Sequence, residues 1–258
     1  MNWLSSFLKS SIGKKLLMAL TGLFLCTFLV VHLTGNLQLF KNDSGLAFNE
    51  YAVFMTTNPL IKFTSYGLYA TILFHAFWGI YLVYDNKKAR PVAYAQVDGK
   101  ANSGWASRNM GLLGTIILVF IVLHMTGFWA KYKFGEVPYT DYHVNLTDGE
   151  ITAYPYDGNI NGKIEKFTEQ GFERVIVKDL YAVVNDAFKN PYVVIFYVIA
   201  MLALAFHLIH GFKSAFQTLG LNHKKYNQLI KNIGIGVFGI IVPILFAAMP
   251  IYFLLFNH

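Results

Sequence analysis

Five histidines lie within strongly apolar stretches of the chain, where an ionisable side chain is costly and therefore indicates function. They are His32, His75, His124, His207 and His210. A neutral imidazole can ligate a metal, including a haem iron, but it can also simply hydrogen-bond to a neighbouring helix. Because four separate stretches each carry a histidine, ligation is the stronger interpretation.

The apolar stretches have the length of membrane-spanning helices. The chain has 258 residues, of which 55% are apolar and 14% charged, and about 20 apolar residues suffice to cross a bilayer as a helix. Five such runs without Asp or Glu are predicted, at residues 16–40, 62–84, 109–130, 191–212 and 232–256. We therefore predict an all-α integral membrane protein whose residues 1–258 form a single membrane domain.

The first run and the single cysteine restrict processing and cofactor attachment. The run is too long for the apolar part of a signal peptide and no small-x-small cleavage site follows it, so it is predicted to remain as a membrane anchor. Cys26 stands alone in the middle of this run, which excludes a disulfide and covalent CxxCH haem attachment. Any haem must be held without covalent bonds to cysteine.

The charges between the runs predict the orientation. With a cytoplasmic N-terminus, the inner segments hold twelve basic and two acidic residues, and the outer segments hold nine basic and twelve acidic ones. This asymmetry follows the positive-inside rule and also places the C-terminus outside. The net charge of +7 is thereby explained without a nucleic-acid partner. The polar segment 131–190 is predicted to be an outer, periplasmic insertion with local structure, including a hairpin near 156–163.

The depth of each histidine follows from the helical rise of about 1.5 Å per residue. His32 and His124 lie about 25 Å from the inner boundary, counted from the charged residues that flank their runs. His75 and His207 lie about 15 Å and about 9 Å from it. Two facing imidazoles can supply both axial ligands of a haem iron inside a four-helix bundle. The depths thus predict an inner pair and an outer pair, in layers about 10 to 16 Å apart.

His210 is the less suitable ligand on the fourth run. It lies three residues before Lys213, about 5 Å from the inner boundary, and is too shallow to match His75. We expect His210 to hydrogen-bond to a haem propionate or an adjacent helix, or to be an ordinary interfacial residue.

Glycines recur about one helical turn after each of the four predicted ligands. A glycine at this spacing lies on the same helix face as the histidine and leaves room for a flat macrocycle. Glycines are also common at helix contacts in membranes, so simple packing stays open as an alternative. The four positions are Gly35, Gly79, Gly127 and Gly211.

Longer segments around these histidines carry a more specific pattern. They read "GLFLCTFLVVHLTGNL", "YATILFHAFWGIYLVYDNKKARP", "SRNMGLLGTIILVFIVLHMTGFW" and "NPYVVIFYVIAMLALAFHLIHGFKSAFQTLG". These segments resemble the single-chain, five-helix cytochrome b subunit of succinate:quinone oxidoreductase, the succinate dehydrogenase or fumarate reductase family, in the form found in Bacteroidetes. The resemblance covers nearly the whole chain apart from the outer segment.

The resemblance implies two b haems and an electron-transfer role without succinate chemistry in this chain. His75 and His207 would bind the proximal haem, and His32 and His124 the distal one. A flavoprotein subunit and an iron–sulfur subunit would attach at the cytoplasmic face of the bacterial inner membrane. The electron carrier in the membrane would be a quinone, with menaquinone expected. Glu50, just beyond the first run, is a candidate for accepting quinol protons, although a solvated loop glutamate is an equal reading.

Three other functions fit parts of the pattern. A dihaem cytochrome b subunit of a hydrogenase or formate dehydrogenase would share the histidine layers, but the sequence at 205–220 argues against it. A membrane di-iron desaturase or hydroxylase would need histidines clustered at one surface. A histidine-containing transporter would need no cofactor.

Overall fold

The computed structural model describes residues 2–89, 92, 103–158, 160–221 and 223–256, and is 74% helical. Five helices of the described residues are long and apolar enough to cross a membrane, which is the number of such helices that the sequence predicts. These are α2 (Ser11–Phe40), α4 (Pro59–Lys88), α6 (Met110–Phe134), α8 (Pro191–Thr218) and α9 (Lys224–Phe256). The shorter helices are α1 (Trp3–Lys9), α3 (Leu46–Thr57), α5 (Trp105–Arg108) and α7 (Leu180–Phe188).

Most long helices extend beyond the predicted apolar runs. Helix α9 begins at Lys224 rather than near residue 232, and α8 continues to Thr218 rather than ending near 212. Hydropathy detects only the part of a helix that would lie in hydrocarbon, whereas lysine and glutamine continue a helix readily outside it. Two of the basic residues that were predicted to lie on the inner side, Arg90 and Lys100, fall outside the described residues.

Two spans begin with the same local signal, an Asn-Pro pair. The Asn58 side chain accepts hydrogen bonds from the backbone N–H groups of Leu60 and Ile61, at 3.0 and 3.2 Å. The Asn190 side chain accepts one from Tyr192 at 3.0 Å. Asparagine is a favoured N-cap, and a proline at the first helical position loses no hydrogen bond, so both pairs start a helix efficiently.

The chain divides into two compact units, and the first comprises residues 1–31, 66–120 and 197–247. Its core is apolar and centres on Cys26 of α2, with Ala200, Met201 and Leu204 of α8. Helices α2 and α4 are also joined by polar contacts: Lys14 pairs with Asp85 at 2.6 Å.

The second unit comprises residues 32–65, 121–196 and 248–258 and contains an antiparallel sheet of four strands in the order β2-β1-β4-β3. The all-α prediction therefore holds for the long apolar helices and not for the segment 131–190. The strands are β1 (Tyr139–Asn145), β2 (Ile151–Tyr156), β3 (Ile164–Glu169) and β4 (Phe172–Lys178).

The predicted hairpin near 156–163 is wrong, although local structure in the outer segment was expected. Strands β2 and β3, which flank that stretch, lie at opposite edges of the sheet. The actual hairpins join β1 to β2 and β3 to β4. Their turns contain residues with positive φ, Gly149 at 76° in the first and Gln170 and Gly171 at 50° and 85° in the second. Glycine adopts such angles easily, and both stretches carry signals as strong as the one at 158–162.

A buried polar network attaches α3 to the sheet. Asn49 has no exposed surface, and its amide donates to Asp179 at 2.7 Å and to the Tyr142 hydroxyl at 3.1 Å. The Asn49 carbonyl accepts the Tyr181 N–H at 2.9 Å, while Asp179 also accepts the Ala182 N–H at 2.9 Å and so caps α7. Buried polar groups are stable only when they are satisfied in this way.

Candidate functional site

The predicted inner pair of histidines is brought together in the first unit. The rings of His75 on α4 and His207 on α8 have centroids 6.3 Å apart and planes at 68°. Both side chains are partly buried. The ring contact of His75 is with His207 and not with His210, which lies one turn further along α8 and is also partly buried.

Helix α2 supports the inner pair from the side. The Thr21 hydroxyl lies 2.9 Å from Nδ1 of His75, and a Cβ on Gly22 would stand 3.5 Å from Cε1 of the same ring. On α6, a Cβ on Gly114 would stand 4.0 Å from Cε1 of His207. An alanine at either position would therefore make ordinary van der Waals contact with the imidazole.

The predicted outer pair is brought together in the second unit. The centroids of His32 on α2 and His124 on α6 are 5.8 Å apart, with planes at 85°. The Asn36 amide lies 3.3 Å from Nδ1 of His32 and donates to the His32 carbonyl at 2.7 Å. Immediately after His124, helix α6 opens into a π-helical turn at Met125–Ala130, a distortion that is frequent at functional sites.

Both pairs fit two imidazoles that share one iron. A metal–nitrogen bond is about 2 Å, and each ring centroid lies about 1 Å beyond its nitrogen, so axial imidazoles on one iron have centroids about 6 Å apart. The measured 5.8 and 6.3 Å agree with that value. In addition, Nδ1 of His207 is buried and makes no hydrogen bond to any described residue, so this nitrogen is not held by the described part of the fold.

The four glycines of the sequence prediction have different surroundings. A Cβ on Gly79 would meet only the Met18 methyl, at 3.9 Å, and one on Gly127 or Gly211 would meet no heavy atom within 4 Å. Gly35 instead lies against the ring of Tyr51, which a Cβ would strike. Gly35 therefore serves close packing between α2 and α3.

Gly22 and Gly114, which lie beside the rings of His75 and His207, were not predicted from the sequence, because the predicted glycines all follow a histidine along the chain. The signal that could have found them is a shared spacing. Gly22 lies ten residues before His32, and Gly114 ten residues before His124. Ten residues turn the helix to within about 80° of three full turns, so the spacing does not place the glycine on the face of that histidine. It places each glycine about 15 Å deeper along its helix, which is the predicted depth of the inner pair.

Glu50 lies on α3, where its carboxylate forms an ion pair with Lys166 of β3 at 2.5 Å. Both side chains are substantially exposed, by 36% and 47%. The ion pair gives Glu50 a structural role. Its role in accepting quinol protons stays a prediction.

In the part of the chain that the structure describes, no group of three or more His, Cys, Asp or Glu side chains could hold a metal ion. The four histidines are arranged as pairs. Comparison with models of known protein families, with curated proteins and with solved structures finds no match to this chain.

Proposed function

We propose that this chain is the membrane-anchor cytochrome b subunit of a succinate:quinone oxidoreductase, with two non-covalently held b haems. The observation that carries the proposal is the pairing of four histidines from four helices into two sets, with ring centroids 6.3 and 5.8 Å apart. The sequence at 207–220, which resembles that family, favours succinate:quinone oxidoreductase over a hydrogenase or formate dehydrogenase subunit.

In this proposal each helix contributes one ligand and the surrounding groups orient it. His75 and His207 would hold one iron, and His32 and His124 would hold the other. Thr21 fixes the ring of His75 through Nδ1, at 2.9 Å, and contacts of this kind set the orientation and basicity of a ligand. Bound haem would supply one-electron chemistry between an iron–sulfur partner and a membrane quinone.

The remaining parts of the proposal concern partners and location. The flavoprotein and iron–sulfur subunits would attach at the cytoplasmic face, where the basic residues are concentrated. The quinone, expected to be menaquinone, would react on the side of Glu50. For Glu50 to accept quinol protons, its carboxylate must separate from Lys166, an exposed pair that is worth no more than about 1 kcal/mol.

A reduced-minus-oxidised spectrum of the purified full chain tests the haem assignment. We expect a b-type α band and two haems per chain. His75→Ala and His207→Ala should each lose one haem, and His32→Ala and His124→Ala the other. His210→Ala is the matched control and should keep both. A chain without a b-type band would refute the proposal, and loss of a haem in His210→Ala with retention in His207→Ala would reverse the ligand choice.

Purification of the native complex tests the choice among respiratory enzymes. We expect a flavoprotein and an iron–sulfur subunit to co-purify, and added succinate to reduce the b haems. If hydrogenase or formate dehydrogenase subunits co-purify instead, the chain is the cytochrome b subunit of that enzyme and the proposal is wrong.

A further inference from the structure

Two lysines lie against one buried tyrosine in the second unit, and two more lysines lie near the first of them. Nζ of Lys163 lies 4.8 Å from the ring centroid of Tyr132, and Nζ of Lys178 lies 5.1 Å from it. Lys62 and Lys133 are close enough to repel Lys163 electrostatically. Tyr132 itself is only 4% exposed, so two ammonium groups are held against one aromatic ring, where cation–π attraction stabilises them in part.

The lysines have donors left over and lack acidic partners. Lys163 donates to the Thr56 hydroxyl at 2.9 Å, and Lys178 donates to the Tyr132 carbonyl at 2.7 Å. An ammonium group has three N–H donors, so each has two more to offer. Among the ion pairs of the described residues, none involves any of the four lysines.

This concentration of positive charge is unfavourable for the protein alone. Burial, followed by repulsion from Lys178, Lys62 and Lys133, lowers the pKa of Lys163, and burial lowers the pKa of Lys178. A lysine at a membrane boundary normally keeps its ammonium group in water. Here two lysines point to a common ring, half-buried, from neighbouring strand ends.

The cluster lies at the ends of two membrane spans. Lys62 is three residues after the start of α4, and Lys133 is one residue before the end of α6. The next residue along the chain is in each case an exposed phenylalanine, Phe63 at 77% and Phe134 at 73%. Lysines near the ends of spans hold their ammonium groups at the membrane interface, which is the level of the phospholipid phosphates.

We propose that Lys163 and Lys178, with Lys62 and Lys133 at the rim, bind the phosphate of an anionic phospholipid in the leaflet that borders residues 131–190. The N–H groups of these lysines, which form no ion pair with an acidic residue, would donate to the phosphate. The exposed phenylalanines would lie beside the acyl chains of the lipid. Basic pockets between membrane helices recognise anionic head groups by the same chemistry. The proposal does not depend on the haem assignment.

Native mass spectrometry of the full chain, titrated with phosphatidylglycerol or with phosphatidylcholine of the same acyl chains, tests the site. We expect the first phosphatidylglycerol to bind about tenfold more tightly than phosphatidylcholine, since each nearby lysine contributes measurably to the attraction. The double variant Lys163→Gln with Lys178→Gln should lose this preference. The matched control, Lys224→Gln with Lys225→Gln on α9, removes the same charge elsewhere and should keep it.

Two further variants show whether a lost preference reflects lipid recognition or a loss of folding. Competition with inorganic phosphate shows whether the site attracts any anion. Replacement of both central lysines by arginine keeps the charge and should keep the preference. If the Lys163→Gln, Lys178→Gln variant unfolds at a lower temperature than the unmodified chain, the double variant Lys62→Gln with Lys133→Gln replaces it as the test. This variant should weaken the binding of phosphatidylglycerol and leave the binding of phosphatidylcholine unchanged. The proposal would be overturned if both lipids bound equally, or if the preference survived both glutamine pairs. It would also be overturned if the α9 control lost the preference equally, or if inorganic phosphate displaced the lipid.

Discussion

The hydroxyl of Thr21 contacts one of the two ring nitrogens of His75. It lies 2.9 Å from Nδ1 and 2.7 Å from the Leu17 carbonyl. When the hydroxyl donates its one proton to that carbonyl, its oxygen accepts the Nδ1–H of His75. In this arrangement Nδ1 is engaged by Thr21, and the lone pair of Nε2 would be available to an iron.

Replacement of Thr21 by valine should weaken this arrangement. We expect about tenfold weaker haem retention at the inner site, because removal of a group that orients a metal ligand typically costs 10- to 100-fold in affinity. Haem content during dilution, followed by the α band, measures it. The control is Thr27→Val on the same helix, whose hydroxyl bonds the Leu23 carbonyl; equal loss in both variants would contradict the role of Thr21.

At the scale of elements, the close approach of α2 and α3 depends on Gly35. Gly35→Ala should lower the free energy of unfolding by about 1 to 3 kcal/mol, because the added Cβ collides with the Tyr51 ring in a packed contact. Thermal unfolding of the purified chain measures this change. Gly67→Ala on α4 is the control, since its Cβ would meet no heavy atom of the described residues within 4 Å. A Gly35→Ala chain as stable as the control would show that the contact yields without cost.

Neighbouring residues on α3 should differ sharply in their contribution to stability. Asn49→Ala removes the partner of Asp179 and Tyr142 inside the core and should cost about 2 to 4 kcal/mol, because buried polar groups are left unsatisfied. Glu50→Ala breaks only an exposed ion pair with Lys166 and should cost less than about 1 kcal/mol. Chemical unfolding of the two variants in the same detergent provides the measurement. Similar losses would mean that the network around Asn49 is not a main support of α3.

The elements that hydropathy defines were predictable, and those that depend on distant partners were not. The spans follow from composition alone, and the histidine pairs followed from counting residues along helices. Asn49 could not be recognised, since its partners Tyr142 and Asp179 lie 93 and 130 residues away. The hairpin was predicted at the wrong place for a related reason. Three stretches are rich in turn residues, and only the pairing of the strands in the sheet shows which two of them are hairpin turns.

At the scale of the whole molecule, the predicted orientation can be tested by labelling. Cys26 is buried, with 6% exposure, so single cysteines can be introduced without a strong background. Thr168→Cys in β3 should react with a membrane-impermeant maleimide in intact spheroplasts. Lys225→Cys in α9 should react only after permeabilisation. The reverse pattern would invert the topology and place the partner subunits on the opposite face.

The register of the sheet has a consequence for the origin of the outer segment. Its first strand in chain order, β1, and its last, β4, lie side by side, with Tyr139 opposite Lys178. The chain thus enters and leaves the sheet at adjacent points, where the Asp179 N–H bonds the Pro138 carbonyl at 2.8 Å. A segment with adjacent ends can be gained or lost in evolution without separating its neighbours. The main adaptation would fall on α3, whose Leu46 and Val53 pack on the strands.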